Sequence, residues 1–230
     1  MKTTPVPETK ELRFRATKSA GDVSALLMRP KDAQWLLVFA HGAGAGMRHP
    51  FMEAAARQLA SRRIATFRYQ FAYMEQRSKR PDPKPILFRT VRSAIATATD
   101  TAGDLPLIAG GKSMGGRMTS GAAAEEGLPG VHGFVFFGFP LHPPNKPSTE
   151  RADHLSKVTL PMLFLQGTRD ALADLTLLRP VCKNLGSLAT LQVIEGADHS
   201  FHVLKSSGKT DGEVLEGLAE SVRQWAGKLD

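Results

Sequence analysis

Two hundred and thirty residues, 42% hydrophobic and 23% charged, suffice for one ordinary domain with a buried core and exclude a disordered or fibrous chain. The single cysteine, Cys182, excludes an internal disulfide framework and any paired-cysteine metal or redox site, and the longest apolar runs, WLLVFA and GFVFFGF, are too short to span a bilayer. Thirty basic against 22 acidic residues give a formal charge of +8, and no apolar secretory segment follows Lys2, so a soluble, cytoplasmic protein is expected.

Alternating segments at Glu11–Thr17 and Val23–Met28 predict an opening antiparallel pair. The continuous apolar run Trp35–Ala40 predicts a strand covered on both faces, followed by a glycine-rich loop and a helix over Phe51–Ser61. Another buried strand is expected at Ile64–Tyr69, then the irregular stretch FAYMEQRSKRPDPKP, then a helix over Ile86–Thr101. Strands at Leu105–Ala109 and Val131–Phe137 flank a helix at Met114–Glu126. The proline-rich PLHPPNKPSTERADHLSKV can form a rim over a pocket but is too short for a cap domain. Strands at Leu160–Leu165 and Leu191–Ile194 precede a closing helix that places Val214, Leu215, Leu218, Val222, Trp225 and Leu229 on one face. Eight strands and five or six helices fill residues 1–230 as one α/β domain, with a mostly parallel sheet and helices on both faces.

The charge is uneven. From Ser61 to Arg92 nine basic residues face only Glu75 and Asp82, a local excess of seven. Such a focus suits an anionic small substrate, a nucleic acid or simply a solvated face.

Gly111-Lys112-Ser113-Met114-Gly115 follows a predicted strand and precedes a predicted helix, which is the context a nucleophile elbow requires. A serine on so sharp a turn takes a strained backbone, and its neighbours two positions away must be small because they press on adjacent backbone. A phosphate-binding loop would need glycine at position 106, where Pro106 stands. The elbow chemistry needs an acid and then a histidine downstream. Asp170, in GTRD, and His199, in GADHSF, meet that order at the ends of the seventh and eighth strands; Asp174 and Asp198 are alternatives for the acid and His202 for the base. Two backbone N–H groups must also meet the developing oxyanion, one from Met114 and one from the loop His41-Gly42-Ala43-Gly44-Ala45-Gly46. Ala43 is the expected donor there, Gly42 the alternative, and His41 is read as a brace for the loop. The GxGxxG spacing of a dinucleotide site is absent from that loop, and no histidine set has metal-ligand spacing.

The HG-containing loop, GKSMGG, GTRD and GADHSF together resemble the dienelactone-hydrolase-like branch of the α/β-hydrolase fold, over about residues 11 to 229. HGAGAGMRHPFM, FAYMEQRSKRPDP and GGKSMGGRM more narrowly resemble a small-hydrolase group with testis-expressed and NSL-complex relatives in animals. The resemblance implies a compact, capless hydrolase. Dienelactone hydrolases proper use a cysteine nucleophile, however, whereas position 113 is serine, which argues against dienelactone itself as substrate.

The expectation is a serine hydrolase of an ester or thioester, with Ser113 as nucleophile, His199 as base, Asp170 as its orienting acid, and Met114 and Ala43 as oxyanion donors. It needs no metal or cofactor and takes a small acyl substrate. Arg77 and Arg80 are expected at the pocket mouth, favouring a substrate with a remote negative group. The other class is an idle scaffold binding a partner protein or nucleic acid through the basic segment. A complete set of three catalytic groups argues against it, and nucleic acid is not the expected partner.

Overall fold

The computed structural model describes residues 7–229 and gathers the apolar runs into one eight-stranded sheet. Its strands are β1 (Thr9–Thr17), β2 (Gly21–Met28), β3 (Trp35–Ala40), β4 (Ile64–Tyr69), β5 (Leu107–Lys112), β6 (Val131–Phe137), β7 (Met162–Gly167) and β8 (Ala189–Ile194). Their spatial order is β1-β2-β4-β3-β5-β6-β7-β8, antiparallel from β1 through β2 to β4 and parallel at every later pairing. The helices are α1 (Pro50–Ala60), α2 (Ala72–Glu75), α3 (Lys84–Ala102), α4 (Met114–Glu126), α5 (Leu175–Asn184) and α6 (Asp211–Ala226).

Side chains alternate across a strand, so one apolar run serves two cores. Leu37 and Phe39 of β3 pack with Met52 and Leu59 of α1 and with Leu218 and Trp225 of α6. Leu36, Val38 and Ala40 belong to the opposite core, with Val91 of α3, Met118 of α4 and Leu178 of α5. Each such large side chain contributes about 1.5–3 kcal/mol by leaving water. At Gly133 of β6 a Cβ would come within 2.7 Å of the Trp225 ring, so the missing side chain is what seats α6 on the sheet. The same helix starts cleanly: Thr210 accepts from the Glu213 N–H, and Glu213 accepts from the Thr210 N–H, a reciprocal cap.

Three departures from the sequence reading bear on function. β5 runs on to Lys112, three residues past the expected end, because Gly110 and Gly111 pair with Val135 and Phe136 and do not turn. α5 forms where no helix was expected: Asp174 caps it by accepting from the Thr176 N–H, and Leu178 and Cys182, four residues apart, bury its inner face despite Pro180. The proline-rich segment ends in a 3-10 turn, Glu150–Lys157, that packs along α4 and does rim a pocket, but one separate from the cavity above Ser113.

The charge focus also disperses in space, because β4 carries the chain across the sheet in its middle. Arg62 and Arg63, before β4, approach Glu220 at 3.5 Å and Asp32 at 3.1 Å, while Arg92 on α3 meets Glu125 at 2.8 Å. Arg68, within β4, is buried and donates to the Met47 carbonyl. Among the described residues no helix is long and apolar enough to cross a membrane.

Candidate active site

Ser113 is the single residue between β5 and α4, and it sits at φ 53° and ψ −119°. A non-glycine residue rarely holds positive φ unless its surroundings over-determine it. Here the Ser113 N–H donates to the Phe137 carbonyl at 3.1 Å, and the turn is clamped from below. A Cβ on Gly115 would stand 2.5 Å from the Ala40 carbonyl oxygen and 2.6 Å from that of His41; one on Gly111 would also strike the Ala40 oxygen. The two glycines therefore let the elbow lie directly on the end of β3, with the Ser113 hydroxyl at the positive end of α4.

A chain of hydrogen bonds leads away from that hydroxyl. His199 Nε2 lies 2.8 Å from Ser113 Oγ, and His199 Nδ1 lies 2.7 Å from Asp170 Oδ2. The Asp170 side chain is 1% exposed and also accepts from Gln166 Nε2 at 2.5 Å and from the Leu172 N–H at 2.8 Å. Three donors converge on this carboxylate, which accepts from all of them. His199 Nδ1 is then the donor, and Nε2 is left to accept from the serine hydroxyl. Such an arrangement can draw a proton from Ser113 as it attacks an electrophile.

The alternative residues are all occupied elsewhere. Asp174 caps α5, Asp198 accepts from the Ser200 and His202 N–H groups and so shapes the turn carrying His199, and His202 is exposed and paired with Asp211 at 2.9 Å. That ion pair holds the His202 imidazole above its ordinary range.

A cavity of about 350 Å³ opens above Ser113. Phe51, Met52 and Leu172 give it an apolar wall, and Gly42, Ala43 and Ala45 bring in the loop after β3. Among the described residues the N–H groups of Gly42, Ala43 and Met114 have no acceptor within the chain, so they are available to an incoming oxyanion. His41 beneath the loop is fully buried; its Nδ1 donates to the Gly42 carbonyl at 2.7 Å and its Nε2 accepts from the Phe71 N–H at 3.1 Å. Burial pushes this neutral imidazole down to about 4. The Tyr73 hydroxyl fixes the loop from the other side by accepting from the Gly44 N–H.

Two further residues contribute: Gln166, which the sequence reading does not single out, and Lys112, expected beside the nucleophile either to add to the basic field or to point to solvent. Gln166 braces Asp170, and nothing local to Gln166 marks it. Lys112 lines the cavity, donates from Nζ to the His199 carbonyl at 2.6 Å, and stands 5.8 Å and 5.5 Å from the stacked Phe51 and Phe201 rings. Burial pushes its ammonium down to about 8, against the pull of Asp170 and Asp198. Strand parity was the available signal, since Lys112 lies on the same face of β5 as Ile108, in the core to which Phe201 belongs. Arg77 and Arg80 are not brought to the lining of this cavity.

The profile of a family described as an alpha/beta hydrolase domain matches residues 33–227, and the chain belongs to that family. Among solved structures it is similar to the dienelactone hydrolase of Anabaena variabilis, at a TM-score of 0.74 and 21% identity over 96% of this chain and 97% of that one. A lidless α/β serine hydrolase from Xanthomonas campestris aligns at a TM-score of 0.75 and 19% identity, over 96% of this chain and 98% of the other. The esterase domain of a Rhodothermus marinus protein aligns at 0.68 and 17%, over 94% and 98%. At these identities the likeness establishes the architecture: an α/β-hydrolase fold with a mostly parallel sheet and no cap among the described residues.

Proposed function

We propose that the protein is a serine hydrolase that cleaves an ester or thioester of a small acyl substrate. Ser113 attacks the acyl carbon while His199 takes its proton, and Asp170 holds the imidazole and stabilises the imidazolium that forms. The Met114 and Ala43 N–H groups receive the oxyanion. His199 then protonates the leaving group, and a water activated by the same nitrogen releases the acyl chain from Ser113. The observation that carries the reading is the unbroken hydrogen-bond chain from Asp170 through His199 to Ser113, at 2.7 Å and 2.8 Å, on an elbow open to a cavity.

In this scheme Arg77 and Arg80 touch no part of the reacting bond. Any preference they impose for an anionic substrate is long-range steering, screened by salt over a Debye length of about 10 Å at 0.1 M. The direct test is labelling with a fluorophosphonate probe. Wild-type protein is expected to label once, at Ser113, and Ser113→Ala to lose both the label and activity on short-chain esters by roughly four to six orders of magnitude. Labelling that persists in Ser113→Ala would overturn the assignment.

A further inference from the structure

A second cavity, of about 520 Å³, lies between the start of α3, the outer face of α4 and the Glu150–Lys157 turn, and it shares no lining residue with the cavity above Ser113. Four cations border it: Lys84 of α3, Arg117 of α4, and Arg151 and Lys157 of the turn. Among the described residues none of the four is within 4.0 Å of a carboxylate. Of the two carboxylates on the lining, Glu125 is already bonded by Arg92 at 2.8 Å, which leaves Glu150 alone against four positive charges.

The interior of the groove is equally one-sided. Arg117 Nε is buried without an acceptor, and burial together with the nearby Arg151 holds the guanidinium below its ordinary range. His154 is bonded to Ser120 Oγ at 2.8 Å, and burial with Arg117 and Lys84 beside it keeps the ring neutral, down to about 4. Like charges crowded into a half-buried groove repel one another, and a guanidinium with an unused buried N–H loses a hydrogen bond that water would have supplied. A multiply charged anion relieves that repulsion, because guanidinium groups bind phosphoryl oxygens in pairs and ammonium groups add compact charge around them. The floor adds an aromatic surface: Phe88 lies against α4 where Gly121 leaves room for its ring, and a Cβ at Gly121 would come within 2.6 Å of it.

We infer that this groove is a binding site for a phosphorylated small molecule, its phosphoryl group held by Arg117 and Arg151 with Lys84 and Lys157 around it. The volume falls in the range of small-ligand sites. The four cations close around one groove, which suits a single phosphoryl group more than a nucleic-acid backbone, whose successive phosphates need cations in a row.

The test is calorimetric titration of the full chain with inorganic pyrophosphate and with ATP at low ionic strength. Saturable binding in the micromolar to submillimolar range is expected, weakened at least about tenfold in Arg117→Gln/Arg151→Gln. A control, Arg15→Gln/Arg223→Gln, removes the same charge far from the groove and is expected to keep wild-type affinity. Arg151→Gln alone, on a surface turn, serves if the double variant has an altered melting temperature. No saturable binding by about 5 mM, unchanged affinity in the Arg151 variant, or equal losses in the control would overturn the inference. So would tighter binding of a single-stranded RNA that pyrophosphate cannot displace.

Discussion

Three residues of this chain hold positions that their own chemistry does not favour. Ser113 is kept at positive φ, Asp170 is kept out of water, and Lys112 is kept beneath two aromatic rings. Each is tolerated because its polar atoms are met: Ser113 by the Phe137 carbonyl and His199, Asp170 by Gln166, Leu172 and His199, Lys112 by the His199 carbonyl. His199 is the residue on which all three converge, so its loss is expected to be as damaging as that of Ser113. His199→Ala is expected to lower kcat/KM on a short ester by roughly 10⁴-fold or more, and Asp170→Asn by a similar factor because the amide favours the wrong imidazole tautomer. His202→Ala removes only an exposed ion pair, and Asp174→Asn leaves a residue that caps a helix equally well, so about threefold or less is expected from each. Steady-state kinetics on the four purified variants checks the contrast, and equal losses in His202→Ala and His199→Ala would reverse the roles assigned to them.

At the scale of elements, the elbow depends on how closely β5 and α4 approach β3. Gly115→Val would drive a β-branched side chain into the Ala40 and His41 carbonyls, which are backbone and cannot swing aside. A destabilisation above about 3 kcal/mol is expected, read as a lowered urea midpoint or loss of soluble protein. A soluble Gly115→Val with a wild-type midpoint would mean that the turn is looser than these distances require. The same approach explains why the end of β5 was hard to read. A pair of glycines in sequence signals a turn, yet here Gly110 and Gly111 extend the strand and Ser113 makes the turn. α5 escaped notice for a related reason: Pro180 breaks the helical pattern in sequence, whereas burial of Leu178 and Cys182 sustains it in the fold. The strands at Trp35–Ala40, Ile64–Tyr69 and Val131–Phe137 were legible to the residue, because a strand buried on both faces is written as an uninterrupted apolar run.

For the molecule as a whole, His41 and His154 contribute to the response to acid. His41 has a folded-state value of about 4 against an ordinary 6.5. Between those two values the unfolded chain binds a proton that the folded chain refuses. Stability is therefore complete above about pH 6.5 and falls as the pH drops towards 4, by ~3 kcal/mol from His41 alone. His154, also lowered to about 4, acts in the same direction. His202 is raised by Asp211, so its contribution is present at low pH and fades as the pH rises through its folded value; being exposed, it adds little. Urea unfolding at pH 7 and pH 4.5 is expected to show a clear loss in wild type and a smaller one in His41→Gln, whose amide can make both bonds without titrating. Identical losses in the two proteins would mean that carboxylates, not His41, govern the acid limb.

The sequence by itself determined the alternation of strands and helices and the residues that could do chemistry. Period-two and period-3.6 patterns are local, and an elbow demands glycine at fixed offsets from its serine. Ser113, Asp170 and His199, spread over 87 positions, were named from motif spacing, and the fold brings them within hydrogen-bonding distance. Only the tertiary structure decided where charge ends up. Nine basic residues close together in sequence divide between surface ion pairs, a core arginine, an exposed loop and helix α3, because one strand crosses the sheet in their midst. Conversely, Lys84, Arg117, Arg151 and Lys157, from three separate segments, meet around one groove. Electrostatic interaction depends on distance through space and on burial, and neither is local in the chain.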